Sequence, residues 1–345
     1  MEPRIQYAKT EDGVSIAYWT MGEGGTPLLI TAPLGFGHIA LECQDESLLG
    51  WYQHLAESRM IVRFDNRGEG MSQREIQDKT ISPHHHAIDM DAVCKSLDFK
   101  HVNVLGMTGN CMKTAVFAAQ HPQLVDQLIF WAPINGPDFH QAQMGTVVSL
   151  ASKDWKIFTE TWARVMMGWS GGRQAAEYAS FVRESMAQEL FVRFLEVIGE
   201  WDITPYLSEI QAQTLVLSGR AGSRETAQLV ASGVRNAQLV RLPDSPVVYW
   251  EDEHALEAVE EFLGDAPVAA RRKSKPAVPS GGADTHTILF TDMQSSTALT
   301  QQLGDAKAQE VRRAHNEIVR AALAANGGSE IKHTGDGIMA SFATA

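Results

Sequence analysis

The stretch VLGMTGNCMKT, residues Val104 to Thr114, decides how the chain is read. A run ending at Leu105 has the length and β-branched character of a buried strand and reaches Gly106. A run with helical character, Lys113 to Gln120, follows at once. Between them, Gly106, Thr108 and Asn110 alternate with other residues in a segment just long enough to reverse the chain. Strand, tight turn and helix in so short a space form the unit from which parallel sheets are built.

Working outward, residues 4–65 read as strands joined by turns. Arg4–Thr10 and Ser15–Gly22 flank the turn Glu11-Asp12-Gly13. Leu28–Ala32 and Met60–Phe64 are short apolar runs, as expected of strands buried on both faces. Downstream, strands and helices alternate. His101–Leu105 and Gln127–Trp131 are strands; Thr214–Ser218 precedes a helix near Glu225–Ser232, and Gln238–Leu242 precedes a helix at Glu251–Phe262. The pattern predicts a mostly parallel sheet covered by helices.

Between residues 138 and 208 the alternation stops and the chain is largely helical, which marks an inserted cap. It carries Trp155, Trp162, Trp169, Phe181, Phe191, Phe194 and Trp201. Two readings are open. The rings fill a small core of the cap's own, or Trp155, Trp162, Trp169, Phe194 and Trp201 line a cavity for a small apolar ligand between cap and sheet.

Composition narrows the function classes. The 345 residues are 44% hydrophobic, enough for a sizeable core and about two domains. A formal charge of −13 provides no general basic field for nucleic acid. Cys43, Cys94 and Cys111 have no paired spacing, which fits a reducing, cytoplasmic setting. The opening MEPRIQYAKTEDG lacks the features of a signal peptide, and no apolar run has the roughly 20 residues that a membrane helix needs. Residues 265–284, DAPVAARRKSKPAVPSGGAD, read as a flexible linker, with Arg271 to Lys275 as its solvated basic part. The expected domains are 1–264 and 285–345. The second stops in mid-pattern after a strand, as a fragment of a larger domain does.

The first domain resembles the α/β-hydrolases over about residues 4–264. VRFDNRGEGMS (Val62–Ser72) is similar to the strand and turn before that family's nucleophile helix, and VLGMTGN sits where its nucleophile turn belongs. TLVLSGR (Thr214–Arg220) and QLVRLPDSPVVYW (Gln238–Trp250) resemble the strands that lead to its acid and its histidine. His38–Glu57 further resembles hydrolase-like domains attached to bacterial signalling modules. Acyl transfer in this family needs a nucleophile, a histidine base and an orienting acid. The positions hold Thr108, Val247 and Ala221. Three departures together leave no proton path.

A β-branched residue tolerates the strained turn poorly, and Asn110 would crowd it. The expectation is therefore a relaxed turn with any positive φ at Gly109. Other groups do not restore the chemistry. Cys111 lies past the turn and reads as a buried inert thiol. Asp138 follows the strand Gln127–Pro133 at a place where some relatives keep an acid, but has no histidine partner in the expected loop. His254 reads as a helix-surface residue, and His84–His86 as the opening of a helix more than as a metal site.

The second domain resembles the class III nucleotidyl cyclases, in TILFTDMQSSTALTQQLGD (Thr287–Asp305) and GGSEIKHTGDGIMASF (Gly327–Phe342). The match covers about the first third of that family's ferredoxin-like α+β catalytic domain, hence a truncated one. Asp336-Gly337 is a strong hairpin signal. The resemblance implies that Asp292, Asp336 and the carbonyl of Met293 hold Mg²⁺ or Mn²⁺. It implies that Ser295, Ser296 and Thr297 open a helix facing the ATP phosphates, and that Lys332 selects adenine. It also implies a homodimer.

The expected protein is a cytoplasmic adenylyl cyclase governed by a catalytically dead, ligand-binding hydrolase-like domain, the present fragment being inactive as a cyclase. An active hydrolase with a non-standard nucleophile and base, and a non-enzymatic dimerisation module, are the alternatives.

Overall fold

The computed structural model describes residues 4–33, 36–137, 150–167, 172–219, 224–242, 249–264, 287–291, 307, 311, 313–323, 325–326, 328–333 and 338–342. The chain divides into two compact units, Met1–Arg271 and Arg272–Ala345.

The first unit is built on an eight-stranded sheet. Its first strands are β1 (Gln6–Lys9), β2 (Ser15–Met21) and β3 (Leu28–Ile30). Two helices follow, α1 (Ile39–Glu42) and α2 (Glu46–Leu55), and then β4 (Ile61–Phe64). These helices correct the reading of residues 4–65 as strands and turns alone. The carboxylate of Asp45 accepts hydrogen bonds from the backbone of Ser47 and Leu48 and so starts α2. Leu48, Trp51, Tyr52 and Leu55 then bury one helical face.

Next come α3 (Pro83–Ser96), β5 (Val102–Met107), α4 (Asn110–Gln120) and β6 (Val125–Trp131). The cap between β6 and the next strand holds α5 (Trp155–Met167), α6 (Gly172–Ser185), α7 (Gln188–Ile198) and α8 (Thr204–Leu207). The unit finishes with β7 (Gln213–Ser218), α9 (Arg224–Gly233), β8 (Ala237–Arg241) and α10 (Glu253–Phe262). The strand order is β1-β2-β4-β3-β5-β6-β7-β8. The pairs β1–β2 and β2–β4 are antiparallel, and every pair from β4 to β8 is parallel.

Alternate residues of each strand feed two cores. Leu29, Val62, Val104, Leu128, Phe130 and Val216 pack against helices α3, α4 and α9. Leu28, Ile30, Ile61, Leu105, Ile129, Leu215 and Leu217 pack against α1, α2 and α10. This double burial explains the near-continuous apolar runs of β3 to β7. A third cluster lies in the cap.

In the second unit, β9 (Thr287–Phe290), β10 (Gly328–His333) and β11 (Ile338–Phe342) form an antiparallel sheet in the order β10-β11-β9. Residues 313–323 are helical, and Leu323 is buried. Among the described residues no helix is long and apolar enough to cross a membrane.

Candidate functional site

The parallel strands end together on one side of the sheet, where this architecture places ligand sites. At the end of β5, Thr108 has φ +50°, while Gly109 has φ −63° and opens α4. The turn is therefore strained, not relaxed, and the positive φ falls on Thr108 instead of Gly109. Hydrogen bonding on both sides enforces this. The Thr108 N–H donates to Trp131 O of β6 at 2.9 Å, and Thr108 O accepts from Cys111 N at 3.1 Å. The reversal has to occur at the residue between these anchors.

Gly106 lets the helix sit this close. A Cβ there would lie 2.3 Å from Thr114 Oγ1. Asn110 is fully buried without crowding the turn: its side-chain N–H donates to Ala32 O at 3.2 Å and ties the segment after β3 to the start of α4. Beside Thr108, Ala132 at the end of β6 also has a positive φ, +51°, and its N–H donates to Leu217 O of β7 at 2.8 Å.

Among the described residues, no histidine is hydrogen-bonded to Thr108; the histidine hydrogen bonds join His38, His54, His84, His85, His101 and His315 to other partners. His254 lies on α10 with its side chain 69% exposed. Cys111 is buried, and burial pushes its thiol well above the ordinary range. His84 to His86 lie in the first turn of α3, where Ser82 accepts from His85 N at 3.3 Å. Among the described residues, no three His, Cys, Asp or Glu side chains are grouped to hold a metal.

What does gather beside the turn is buried charge. The Arg63 guanidinium forks onto Glu42, with Nε 2.9 Å from Oε2, and the Tyr52 hydroxyl donates to the same oxygen at 2.7 Å. Asp65 accepts from Met71 N at 2.8 Å and Ile39 N at 3.1 Å. Glu69 accepts from Gly37 N at 2.8 Å and from the Asn66 side chain at 3.1 Å. Lys113, on α4, places Nζ 3.6 Å from Glu69 Oε1 and 5.8 Å from the centre of the Phe194 ring.

Burial dominates the electrostatics. It pushes Asp65 up to about 7 against the pull of Arg63, with the charge of Glu42 adding to the rise. It lowers Lys113, which Glu69 opposes. It also holds His86 well below its usual range, helped by Lys113. Asp89, under the fork of Arg67, is pushed up to about 6 by burial, which Arg67 resists. The cluster fixes Gly37, in the segment between β3 and α1, and Ile39, at the start of α1, by hydrogen bonds to buried carboxylates. Sequence reading missed it. Its one local signal is a charged residue, Arg63, inside the apolar run of β4.

Other expected site residues are dispersed. Trp155, Trp162 and Phe194 join Phe158 and Phe191 in the cap core. Trp155 stacks on Phe158 at 5.5 Å, and Phe158 and Phe191 are 5.0 Å apart. Trp201 lies in the core of the sheet and meets Phe194 edge-on at 5.3 Å. These rings pack on one another. Two surface hollows, of about 540 and 470 Å³, are lined by other residues, including Asp12 and His85 in one and Asn103 and Gln123 in the other. Asp138, Trp169, Ala221 and Val247 lie outside the described residues, as do Asp292, Met293, Ser295, Ser296, Thr297 and Asp336. Lys332 is in β10, opposite Met339 of β11, just after a break in the pairing register.

No protein-family model matches the chain, and no curated protein matches it in sequence. Solved structures do match. A bromoperoxidase from Bacillus anthracis aligns with a TM-score of 0.64 at 14% identity, over 76% of this chain and 100% of its own. An enol-lactonase from Burkholderia xenovorans LB400 aligns with a TM-score of 0.61 at 19% identity, over 75% and 100%. Est816, described as an N-acyl homoserine lactone degrading enzyme, aligns with a TM-score of 0.61 at 20% identity, over 74% and 100%. At these identities the likeness is one of fold. The chain contains an α/β-hydrolase fold, with its cap inserted between β6 and β7.

Proposed function

We propose that the first unit is a binding or regulatory module on an α/β-hydrolase fold, without ester hydrolysis, and that it governs a nucleotide cyclase whose catalytic domain begins in the second unit. One observation carries the first half. Thr108 occupies the nucleophile's turn, yet among the described residues no histidine is bonded to it, and the sequence has Val247 and Ala221 at the base and acid positions. A hydroxyl needs an adjacent base to attack a carbonyl at neutral pH. An apolar ligand remains part of the reading; to enter the cap it must part the rings now packed there.

The cyclase half rests on sequence resemblance, and the strand register supports it. Phe290 pairs with Met339, and His333 with Ile338, so the end of β9 and the turn end of the hairpin share one end of the sheet. Asp292 follows β9 and Asp336 lies between β10 and β11. Carboxylates in these positions suit a pair of Mg²⁺ or Mn²⁺ ions, with Met293 adding a carbonyl; the ions supply charge neutralisation for a triphosphate. Ser295 to Thr297 would face the phosphates of ATP and Lys332 the adenine, in a cytoplasmic homodimer.

A second reading has its own support. The positive φ of Thr108 is strain of a kind that gathers at working sites, which favours a hydrolase with a relocated base. Turnover of p-nitrophenyl esters separates the two. The expected result is background turnover for the wild type and for Thr108→Ala alike; a rate that disappears on that substitution establishes the hydrolase. The cyclase half is tested in a protein carrying the complete cyclase domain. Asp292→Ala and Asp336→Ala are each expected to abolish metal-dependent cyclic AMP formation, and Lys332→Glu to weaken the preference for ATP. Full turnover in both aspartate variants overturns the metal assignment.

A further inference from the structure

We infer that the hollow of about 470 Å³ at the opposite end of the sheet from Thr108 binds a neutral polyhydroxylated ligand, a sugar or polyol. It lies where strands β5, β6 and β7 begin. Asn103 stands five residues before Thr108 on β5, roughly 16 Å away at about 3.3 Å per residue. Neither Thr108 nor the cyclase unit takes part.

The strand register builds the site. Asn103 is paired with Gln127 of β6, and Gln127 with Gln213 of β7, so three carboxamides stand in one row across three adjacent strands. Side chains alternate between the two faces of a strand, so the next row on the same face is Leu105, Ile129 and Leu215. Those three belong to the apolar core packed against α1, α2 and α10. The face therefore changes from apolar to amide in a single step. The register also breaks here. Val102 pairs with Val125 and Asn103 with Gln127, which leaves Asp126 as an extra residue. Bulges of this kind re-aim side chains beside working sites.

Asn103 is the anchor. It is 2% exposed, it lines the hollow, and its side-chain oxygen has no hydrogen-bond partner among the described residues. A buried acceptor in that state is costly, and a donor supplied from outside removes the cost. The group is planar, and a half-turn exchanges its oxygen and nitrogen, so it can offer either end to the hollow. Gln127 is already positioned. Its Nε2 donates to the carbonyl of Phe262, the last residue of α10, at 2.8 Å and leaves Oε1 to accept. Gln123 and Gln211 add further amides to the lining.

The lining selects the ligand. A carboxamide offers donors and an acceptor without charge, which matches a hydroxyl, itself donor and acceptor. Neighbouring strands are about 4.8 Å apart, close to the separation of hydroxyls on alternate carbons of a sugar ring. Among the described residues of the lining, Asp126 is the one charged side chain, and it is paired with His101 at 2.9 Å. No cation there rewards a phosphate or a carboxylate.

Isothermal titration calorimetry of the intact chain tests the assignment with D-glucose, D-galactose, D-ribose and myo-inositol, and with D-gluconate as the charged counterpart. At least one of the four neutral compounds is expected to bind with a Kd of about 1 mM or tighter. Asn103→Leu replaces the amide by an apolar group of similar shape and should weaken binding about tenfold, and Gln213→Ala about threefold. No binding of any of the four at about 10 mM overturns the site. Binding that both substitutions leave unchanged also overturns it, since the sugar then sits elsewhere. Gluconate binding as tightly as glucose, and lost in Asn103→Leu, overturns the neutral class. If Asn103→Leu does not fold, Gln213→Ala, at an exposed position, decides alone.

Discussion

The sheet body and the cap bury their side chains by different means. The body covers both faces of a mostly parallel sheet with two apolar cores and holds buried charge in paired groups such as Glu42–Arg63. The cap has a core of its own, ring against ring, and meets the body both through apolar side chains, such as Leu190, Ile198 and Trp201, and through polar bonds from Arg74 and Arg193. The difference separates two kinds of stability. Strain in the body, as at Thr108, is held by neighbouring strands. The cap is held by the apolar face of α7, with Leu190, Phe194, Val197 and Ile198 on the sheet core, together with a few polar bonds of smaller net worth.

The largest expected effect breaks the body's closed charge. Glu42→Ala leaves Arg63 and Tyr52 facing an empty site and is expected to destabilise by about 3–5 kcal/mol in urea unfolding followed by far-UV circular dichroism. A loss below about 1 kcal/mol would mean that water reaches Arg63 and the cluster is not closed.

Gly106→Ala comes next. Its Cβ overlaps Thr114 Oγ1, and a loss of about 1–3 kcal/mol is expected in the same assay. Pairing it with Thr114→Ser, which removes only the Thr114 methyl, leaves that hydroxyl clash in place and should not recover the loss.

Thr108→Gly runs in the opposite direction. Relief of a β-branched residue at positive φ is expected to stabilise by up to about 1 kcal/mol, the greater freedom of glycine in the unfolded chain offsetting part of the gain. A destabilised variant would show that the threonine side chain contributes more than its backbone strain costs.

The subtlest test is a slope. Asp65 is raised to about 7 in the folded chain, so it binds a proton more readily there than in the unfolded chain. Its contribution is fully present below about pH 4 and is lost as the pH rises through about 7. His86, held neutral, contributes above its ordinary value near 6.5 and loses that contribution as the pH falls. The two oppose each other, so the stability of wild type minus that of Asp65→Asn isolates the first. The difference should decline from pH 4 to pH 7, and a flat difference removes Asp65 from the balance.

Much of the sheet was legible because strands buried on both faces need unbroken apolar runs, and Leu28–Ile30, Ile61–Phe64 and Gln213–Ser218 supply them. Helix α2 was missed, although Asp45 and the spacing Leu48, Trp51, Tyr52, Leu55 mark it. The backbone at Thr108 was misread because intrinsic preference points to Gly109, while the deciding bonds come from Trp131 and Cys111. The charged cluster was invisible for a related reason. Glu42 and Arg63 are 21 positions apart, and Lys113 is 44 positions from Glu69; no local pattern ties residues that only the sheet brings together. The cap aromatics were found as a set, but sequence alone does not say whether rings pack on one another or around a space.

The place of the cap bears on how the chain reaches this state. Strands β6 and β7 are partners, yet all of residues 132–212 lie between them. Closing a segment that long costs about 2 kcal/mol more chain entropy than closing ten residues. Strands β1 to β6 involve no such insertion and can assemble while the cap is still emerging from a ribosome. Until β7 arrives, β6 is an open edge whose unpaired N–H and C=O groups invite another chain. The order of synthesis thus leaves a nascent intermediate with a sticky margin, and the speed at which the cap collapses on its own rings sets how long that margin stays exposed.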